Sequence, residues 1–497
     1  MRADRPVLHL TPAAGWLNDA NGLVHWKGRH HVFYQSDPLS LWFGRMQWGH
    51  YSSDDLVHWT RHPAALSPSK GPDVDGVWTG SVVDNGGTAT AVYTGVVSRA
   101  DGSKIQSVCL ATSTDPDLLE WVKDPDNPVS IEAPPFDVDA FRDPYVWRHD
   151  DGWCMLLGTG LPGGHGGVLR YRSSDLREWH YQGIFLSGAD LPDSAPWSGA
   201  VWECPNLAIL KDGTALLLVS VHDPATLSLH YTVALIGRID QTRFVASSAR
   251  RLDHGHDCYA AAIETTTDGR VLAYGWAWEA LSPTDREQQQ WSGCMTVPRE
   301  LGVLNGVLTI APARELGPAA SVIEKVEPVT ITAGHPIELV APRAARIDAT
   351  FHMDHTSALR VALRRSPESG EELTLDYSPA RGSIVVDRSR ASTLAGVRGG
   401  VTTAEYPLRA DGYFDLTVII DHTIVEVFID NVIAFSERIY PQAVDSDQFR
   451  IECRGETFGE KPPYLRLESL TLAAYDESRF DPSTGHRAGE SAPASTP

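Results

Sequence analysis

The amino-acid sequence predicts an all-β protein, a five-bladed β-propeller followed by a C-terminal antiparallel β-sandwich. A short apolar strand recurs five times at an interval of about sixty residues, which is a period typical of propeller blades. A turn ending in glycine precedes each of these strands. In the last third of the chain the pattern changes to plain alternation of apolar and polar residues, which favours a sandwich. A single β-sandwich with accidental periodicity is the alternative.

The five repeats share one plan, in which a glycine turn joins two strands into a hairpin. The apolar strands after the turns are 31–35, 90–94, 153–158, 215–220 and 271–275. Their partners before the turns are 22–26, 81–84, 144–147, 206–210 and 259–264. Since dipeptides such as Asn-Gly and Asp-Gly between apolar runs are strong hairpin signals, each repeat predicts one blade.

The repeats and the composition also predict where the domains divide. The propeller is expected over residues 1–312, a linker with a short helical piece over 313–330, and the sandwich over 331–476. The sandwich pattern is clear at 424–429, where Val425, Val427 and Ile429 share one face. Residues 477–497 are rich in Ser, Pro, Gly and Ala, and are expected to be a disordered tail.

Composition restricts the classes of ligand and partner. The chain has 497 residues, 42% of them hydrophobic, and a net charge of −22, which argues against nucleic acid or an anionic membrane as partner. The same charge makes a phosphorylated substrate less natural, although one local basic pocket would be enough to bind a phosphate, so tolerance of a substrate phosphate stays open. The 15 Trp suit a small neutral saccharide, because sugars stack on flat rings. Six scattered Cys without a C-x-x-C pair, and His without ligand spacing, predict no metal and no cofactor.

The same features bear on localisation. The first residues lack the apolar stretch of a signal peptide, so a cytoplasmic protein is expected, or a secreted one if a leader had been removed. No apolar run approaches membrane-spanning length. The sequence leaves the oligomeric state open.

Carboxylates recur at equivalent places in the repeats. Because the first strand of each blade lines the central channel, residues just before these strands should converge at one end of it. Those positions hold Asp19, Thr79 or Ser81, Asp143, Glu203 and Asp257. Like charges placed together repel each other, so a purely structural role is a poor explanation.

A pair of carboxyl groups flanking one bond is what glycoside hydrolysis requires. Glu203, between Trp202 and Cys204, is expected to have apolar surroundings that keep its proton, as a general acid needs. Arg142 precedes Asp143 and is expected to keep that carboxylate ionised. Asp143 is therefore predicted to be a fixed anion that holds the ligand.

Three motifs resemble the signature motifs of glycoside hydrolase family 32, the family of invertases, β-fructofuranosidases and fructanases. They are Trp16-Leu17-Asn18-Asp19, Phe141-Arg142-Asp143-Pro144 and Trp202-Glu203-Cys204-Pro205. Further matching segments extend the resemblance from about residue 9 to about residue 472. Two positions depart from the family pattern: Ala20 replaces the usual Pro, and Ala262 replaces a common Gln.

The resemblance implies a retaining mechanism on β-fructosides. It implies that Asp19 is the nucleophile, Glu203 the acid/base and Asp143 the stabiliser of the transition state. The residues that it implies around the fructosyl unit are Asn18, Gln35, Phe43, Trp78, Thr79, Arg142 and Trp276.

The expected substrate is sucrose or a short fructo-oligosaccharide. In the loop 37–47, Leu39, Leu41, Trp42 and Phe43 predict an apolar wall that can stack one glucosyl unit. The alternatives are a fructan exohydrolase (inulinase or levanase), a fructosyltransferase, an inverting propeller hydrolase of arabinans or xylans, and a non-catalytic fructan-binding propeller.

Overall fold

The computed structural model describes residues 5–226, 228–455 and 463–480, which form seven β-sheets. Five sheets are the blades of a propeller, and the other two form a C-terminal sandwich, so the predicted fold class is confirmed. Helices are few and short, and no helix among the described residues is long and apolar enough to cross a membrane.

The innermost strands of the blades surround a central channel. They are β1 (Gly15–Trp26), β5 (Gly76–Asn85), β10 (Arg142–His149), β14 (Val201–Ile209) and β18 (Cys258–Thr265). Each contacts the innermost strands of the two neighbouring blades, and β1 contacts β18, so the ring is closed. The five predicted hairpins are present, but the inner strands begin one to seven residues before the predicted starts.

The remaining propeller strands complete the blades outward from the channel. The first two blades contain β2 (Arg29–Asp37), β3 (Gln47–Ser53), β4 (Trp59–Leu66), β6 (Thr88–Ser98), β7 (Lys104–Ser113) and β8 (Val122–Lys123). The third and fourth contain β9 (Ser130–Ile131), β11 (Gly152–Leu161), β12 (His165–Ser173), β13 (Glu178–Ser187), β15 (Ala215–Asp223), β16 (Ser228–Asp240) and β17 (Arg243–Arg251). The fifth contains β19 (Val271–Ala277), β21 (Cys294–Met295), β22 (Arg299–Leu304) and β23 (Val307–Pro312).

Two short helices and one strand connect these blades. A 3₁₀-helix (Gly188–Asp190) follows β13, and α1 (Pro283–Gln289) lies between β19 and β20 (Trp291–Ser292). The α1 helix begins at Pro283 because the Ser282 side chain caps it by accepting from the amide of Asp285. The strand β20 pairs in parallel with β1 and thereby joins the fifth blade to the first.

Every inner strand has a β-bulge at the same level of the channel. The register shifts lie between Asn18 and Ala20, Trp78 and Gly80, Arg142 and Tyr145, Glu203 and Asn206, and Tyr259 and Ala262. Positive φ angles occur at the bulge residues Asp19, Asp143, Cys204 and Ala260. The carboxylates that were expected just before the strands therefore lie within the inner strands, at the bulges. A bulge changes the direction of a side chain, which allows these carboxylates to point toward one another.

The sandwich consists of two sheets around one apolar core. One sheet contains β24 (Ser321–Val326), β25 (Val329–Thr332), β27 (Ala344–His352), β32 (Tyr413–Asp421), β33 (Ile424–Ile429), β34 (Ile433–Arg438) and β36 (Tyr464–Ala474). The other contains β26 (Ile337–Val340), β28 (Ala358–Arg365), β29 (Glu372–Ser378), β30 (Ser383–Arg390), β31 (Val401–Glu405) and β35 (Gln448–Arg454).

The segments predicted as linker and tail are ordered where they are described. In the linker segment, α2 (Leu316–Ala319) is followed by β24, which pairs with β36 of the sandwich. The chain ends its described part with a 3₁₀-helix (Glu477–Arg479), and the rest of the predicted tail, 481–497, lies outside the described residues.

Buried ion pairs join the propeller to the sandwich. Arg299 of the fifth blade donates to Glu426 of β33 at 2.7 Å and to Asp253 at 2.7 Å. His9 lies 2.7 Å from Asp421 and 3.1 Å from Glu426. Since buried charges are stable only when paired, this network fixes the position of the sandwich against the fifth blade.

Candidate functional site

Three carboxylates meet at one end of the central channel. Asp19, Asp143 and Glu203 lie at the bulges of β1, β10 and β14, and the charges of Asp143 and Glu203 act directly on Asp19. Below them the channel continues as a cavity of about 390 Å³, whose lining includes Thr79, Asp143 and Cys204. The geometry therefore supplies a group of carboxyl groups that can act together.

Asp19 is held on one side and free on the other. Its Oδ2 accepts from Gln35 Nε2 and from Thr79 Oγ1, both at 3.4 Å, whereas its Oδ1 is buried without a protein partner. Asn18 beside it accepts from the indole N–H of Trp16 at 2.7 Å. Burial, followed by the charges of Glu203 and Asp143, raises the pKa of Asp19 to about 7.

Glu203 lies between cationic and hydroxyl donors. Its Oε1 accepts from Arg142 Nη2 at 2.6 Å, its Oε2 accepts from Tyr259 Oη at 2.5 Å, and His222 Nδ1 is 3.8 Å away. Burial pushes the pKa of Glu203 upward, but Arg142, His222 and Tyr259 more than offset it, so the pKa is lowered. The expectation that apolar neighbours keep its proton is wrong for the free protein, because the side chain contacts these polar groups.

The hydrogen-bond partner and the pKa of Asp143 also differ from the prediction. Arg142 hydrogen-bonds to Glu203 rather than to Asp143, whose Oδ2 instead accepts from the amide of Cys204 at 3.0 Å. Burial raises the pKa of Asp143 to about 6, because the charge of Arg142 compensates only in part and Glu203 adds repulsion. The expected direct contact between Arg142 and Asp143 is therefore wrong, because the positive φ at Asp143 separates the two neighbouring side chains, although the charge of Arg142 still favours the ionised form of Asp143.

The group as a whole retains a proton near neutral pH. In the free protein the raised pKa of Asp19 and the lowered pKa of Glu203 favour the proton on Asp19. A retaining glycosidase needs the reverse, an ionised nucleophile and a protonated acid. The two arrangements differ only in the position of one proton within a coupled group, so a bound ligand can select the reactive one.

Aromatic rings surround the carboxylates. Phe43 and Trp78 meet edge to face at 5.5 Å between ring centroids, and Trp16 and Trp276 do so at the same distance. The indole N–H groups of Trp78, Trp276 and Trp278 are buried and have no partner among the described residues. Rings with free N–H groups can stack on a sugar face and donate to its hydroxyls.

The predicted apolar wall is formed by the loop 37–47. Asp37 shapes this loop, because its carboxylate accepts from the amides of Leu39 and Arg45, both at 3.0 Å. Trp42 and Phe43 are 42% and 45% exposed, and Arg286 of α1 stacks on the Trp42 ring at 4.5 Å. A large exposed aromatic surface of this kind, next to a polar pocket, is typical of a ligand-binding rim.

The prediction for the fifth blade, Asp257, is wrong. Asp257 is absent from the carboxylate group, and Arg388, Arg398 and the amide of Arg438 bind it at the interface with the sandwich. The residue in the equivalent position is Tyr259, which directly precedes its bulge as Glu203 does. Counting residues back from the hairpin turn of the fifth repeat would have identified it.

Metal ligation has no support from the side chains. In residues 5–226, 228–455 and 463–480, no group of three or more His, Cys, Asp and Glu side chains has an arrangement that could hold a metal ion. The carboxylates of the site are instead held by Arg142, Tyr259 and backbone amides. Proton transfer and nucleophilic attack are reactions that carboxyl groups held in this way can carry out.

Comparisons with known proteins agree with this geometry. Residues 9–312 match the model of the glycosyl hydrolases family 32 N-terminal domain, and residues 318–464 match the family 32 C-terminal model. A sucrose-6-phosphate hydrolase of Escherichia coli is 35% identical over 88% of this chain and 89% of its own. A raffinose invertase of Escherichia coli is 33% identical over 90% of this chain and 91% of its own.

A similar structure has also been solved. The Bombyx mori GH32 β-fructofuranosidase has a TM-score of 0.76 and 27% identity, over 95% of this chain and 94% of the other. A variant of that protein has been solved in complex with sucrose, with a TM-score of 0.74, 27% identity and coverage of 95% and 93%.

Proposed function

The chain belongs to glycosyl hydrolase family 32, and from this we propose that it is a retaining β-fructofuranosidase that releases terminal fructosyl units from sucrose and short fructo-oligosaccharides. The observation that carries the proposal is the convergence of Asp19, Asp143 and Glu203 at the bulges of three inner strands. Paired carboxyl groups of unequal pKa are what acid-assisted glycoside cleavage needs.

Each carboxyl group has one role in the proposed reaction. An oxygen of Asp19 attacks the anomeric carbon, the glycosidic bond breaks, and the leaving oxygen takes the proton of Glu203. Glu203 then removes a proton from water, which attacks the same carbon and releases Asp19. Asp143 accepts hydrogen bonds from the fructosyl hydroxyls, and these bonds strengthen in the transition state.

Substrate binding has to relocate one proton before the first step. Asp19 has an oxygen without a partner, and this oxygen is the one that a fructosyl carbon can approach. Ionising Asp19 while protonating Glu203 leaves the net charge of the group unchanged. Glu203 can donate a hydrogen bond to the glycosidic oxygen only when its carboxyl group is protonated. The bound substrate therefore favours the reactive arrangement.

Sucrose and short oligosaccharides are proposed because of the rim. Trp42 and Phe43 offer flat apolar surface to a single glucosyl unit, but few hydrogen-bond partners to a series of fructosyl units. The net charge of −22 also favours a neutral saccharide, and makes nucleic acid or an anionic membrane a poor partner. The Bombyx mori relative, which has been solved with sucrose, supports a saccharide substrate.

A phosphorylated sucrose is the second candidate. Several relatives of the chain are named sucrose-6-phosphate hydrolases. Lys104 also supports this candidate, because its ammonium group lies 5.4 Å from the centroid of the Trp78 ring at the site. A lysine there could attract a phosphate on the leaving sugar, as a point charge.

The test compares kcat/KM for sucrose, raffinose, 1-kestose, inulin and sucrose 6-phosphate in one buffer. Sucrose, raffinose or kestose should give the highest value, and a higher value for inulin would assign a fructan exohydrolase. Lys104→Ala should leave kcat/KM for sucrose unchanged. Lys27→Ala is the matched control, because Lys27 stacks on Trp26 at the C-terminal end of β1. A preference for sucrose 6-phosphate that Lys104→Ala abolishes, and Lys27→Ala does not, would establish the second candidate.

A further inference from the structure

A loop of the sandwich packs directly against the segment of the propeller that follows β19. The loop 391–400, between β30 and β31, donates from the amide of Arg398 to the carbonyl of Ala280 at 2.8 Å. Gly396 allows this close contact, because its φ is +87° and a Cβ there would lie 3.2 Å from the Cβ of Ser282. The sandwich is therefore in contact with the segment that follows β19, next to the site.

The side chain of Arg398 contacts two parts of the fifth blade at once. Its Nη2 donates to Asp257 Oδ1 at 2.7 Å, and its guanidinium carbon lies 5.5 Å from the centroid of the Trp278 ring. The amide of Trp278 in turn donates to the carbonyl of Asp257 at 2.8 Å. Arg398 thus holds together the start of β18 and the ring that follows β19.

Tyr259 lies between these two points of contact. It comes two residues after Asp257, and its ring centroid is 5.7 Å from that of Trp278. Its hydroxyl group donates to Glu203 Oε2 at 2.5 Å. A continuous series of contacts therefore runs from the sandwich loop to the carboxylate of Glu203.

We propose that Arg398 of the sandwich is a positioning residue that fixes Tyr259 and, through it, the carboxylate of Glu203. This inference rests on the proposed function, in which Glu203 is the acid/base. The sandwich then contributes to the reaction of the propeller, in addition to covering one blade of it.

The contacts of Asp257 separate this role from a merely structural one. Asp257 is also bound by Arg388 and by the amide of Arg438, so it stays paired without Arg398. The Arg398 side chain is 46% exposed, and its removal buries no unpaired charge. Its loss should therefore cost little folding stability, while Trp278 and Tyr259 lose their lateral support.

The test uses Arg398→Ala, the conservative Arg398→Lys and Arg454→Ala as matched control. Arg454 is 47% exposed and pairs with Glu452 of its own strand in the sandwich. Arg398→Ala should lower kcat for sucrose about tenfold with little change in KM, because a small displacement of a catalytic group is costly. Arg398→Lys should restore most of kcat, and Arg454→Ala should equal the wild type.

The pH profile gives a second readout. Loosening the hydrogen bond from Tyr259 removes one cause that lowers the pKa of Glu203. The limb of kcat/KM that reports Glu203 should therefore move to higher pH in Arg398→Ala, and further in Tyr259→Phe. Adding Arg398→Ala to Tyr259→Phe should change kcat little, because both act through the same hydroxyl group.

Three results would overturn the inference. They are a wild-type kcat and pH profile in Arg398→Ala, a loss equal to that of Arg454→Ala, and full additivity with Tyr259→Phe. A wild-type protein that releases no fructose would refute the proposed function instead. In that case a crystal structure of Arg398→Ala decides separately: the inference expects Tyr259 and Trp278 to be displaced, and unmoved side chains would contradict it.

Discussion

The ionised form of Asp19 should lower the free energy of unfolding of the protein, and this cost can be measured. Burial and two neighbouring carboxylates raise its pKa from 3.8 to about 7. As the pH rises from 3.8, the unfolded chain gives up this proton while the folded protein keeps it. The contribution of Asp19 to folding stability therefore becomes less favourable with rising pH through this window, and its full cost is present above about pH 7. Asp19→Asn, which carries no charge at any pH, should remove that cost.

The magnitude follows from the shift. A change of about three pKa units at 1.36 kcal/mol per unit gives about 4 kcal/mol as the largest gain for Asp19→Asn. The variant should exceed the wild type by a few kcal/mol in free energy of unfolding at about pH 8, and by little at about pH 4. It should also lose hydrolysis of sucrose, because an amide is not a nucleophile.

The assay is equilibrium unfolding in urea at both pH values, with the midpoints compared at equal slope. Asp151→Asn, in the exposed turn between β10 and β11, is the control and should match the wild type at both. A variant at Asp19 that is less stable than the wild type at about pH 8 would refute the reasoning. An equal gain at both pH values would refute it as well, since ionisation would then not be the cause.

Three further predictions concern catalysis, the domain interface and acid stability. Glu203→Gln should lose most activity on sucrose but much less on a fructoside whose leaving group needs no proton, and equal losses on both would contradict the acid role. Arg299→Met should lower the free energy of unfolding by about 3–5 kcal/mol in urea titrations, because it leaves Glu426 and Asp253 buried without their cation; an unchanged midpoint would contradict this. Burial lowers the pKa of His31 from 6.5 to about 3, so the contribution of His31 to folding stability should fall as the pH drops through that range; the free energy of unfolding of the wild type relative to His31→Gln should fall with it, and a difference that stays constant with pH would contradict this.

Local signals were enough to predict the blades. A glycine turn and the strands beside it are adjacent in sequence, and the five hairpins recur with one period. Because radial blades repeat one geometry, the period also led to Asp19, Asp143 and Glu203. These inferences needed no knowledge of contacts between distant residues.

The electrostatics of the site depend on contacts that sequence patterns do not contain. Arg142 directly precedes Asp143 in the third blade, yet it pairs with Glu203 in the neighbouring fourth blade. The bulges decide this pairing, since they turn neighbouring side chains in different directions. Likewise Asp257 fits the repeat by residue type, but its cationic partners come from the sandwich more than a hundred residues later.

The stereochemistry of fructosyl transfer tests the proposed mechanism most directly. Hydrolysis of sucrose in the presence of methanol captures part of the fructosyl group as a methyl fructofuranoside, whose anomeric configuration is stable and can be read by NMR. Attack by Asp19 followed by attack of methanol from the opposite face inverts the anomeric carbon twice, so methyl β-D-fructofuranoside is expected. Methyl α-D-fructofuranoside as the initial product would show a single displacement, and would contradict Asp19 as the nucleophile.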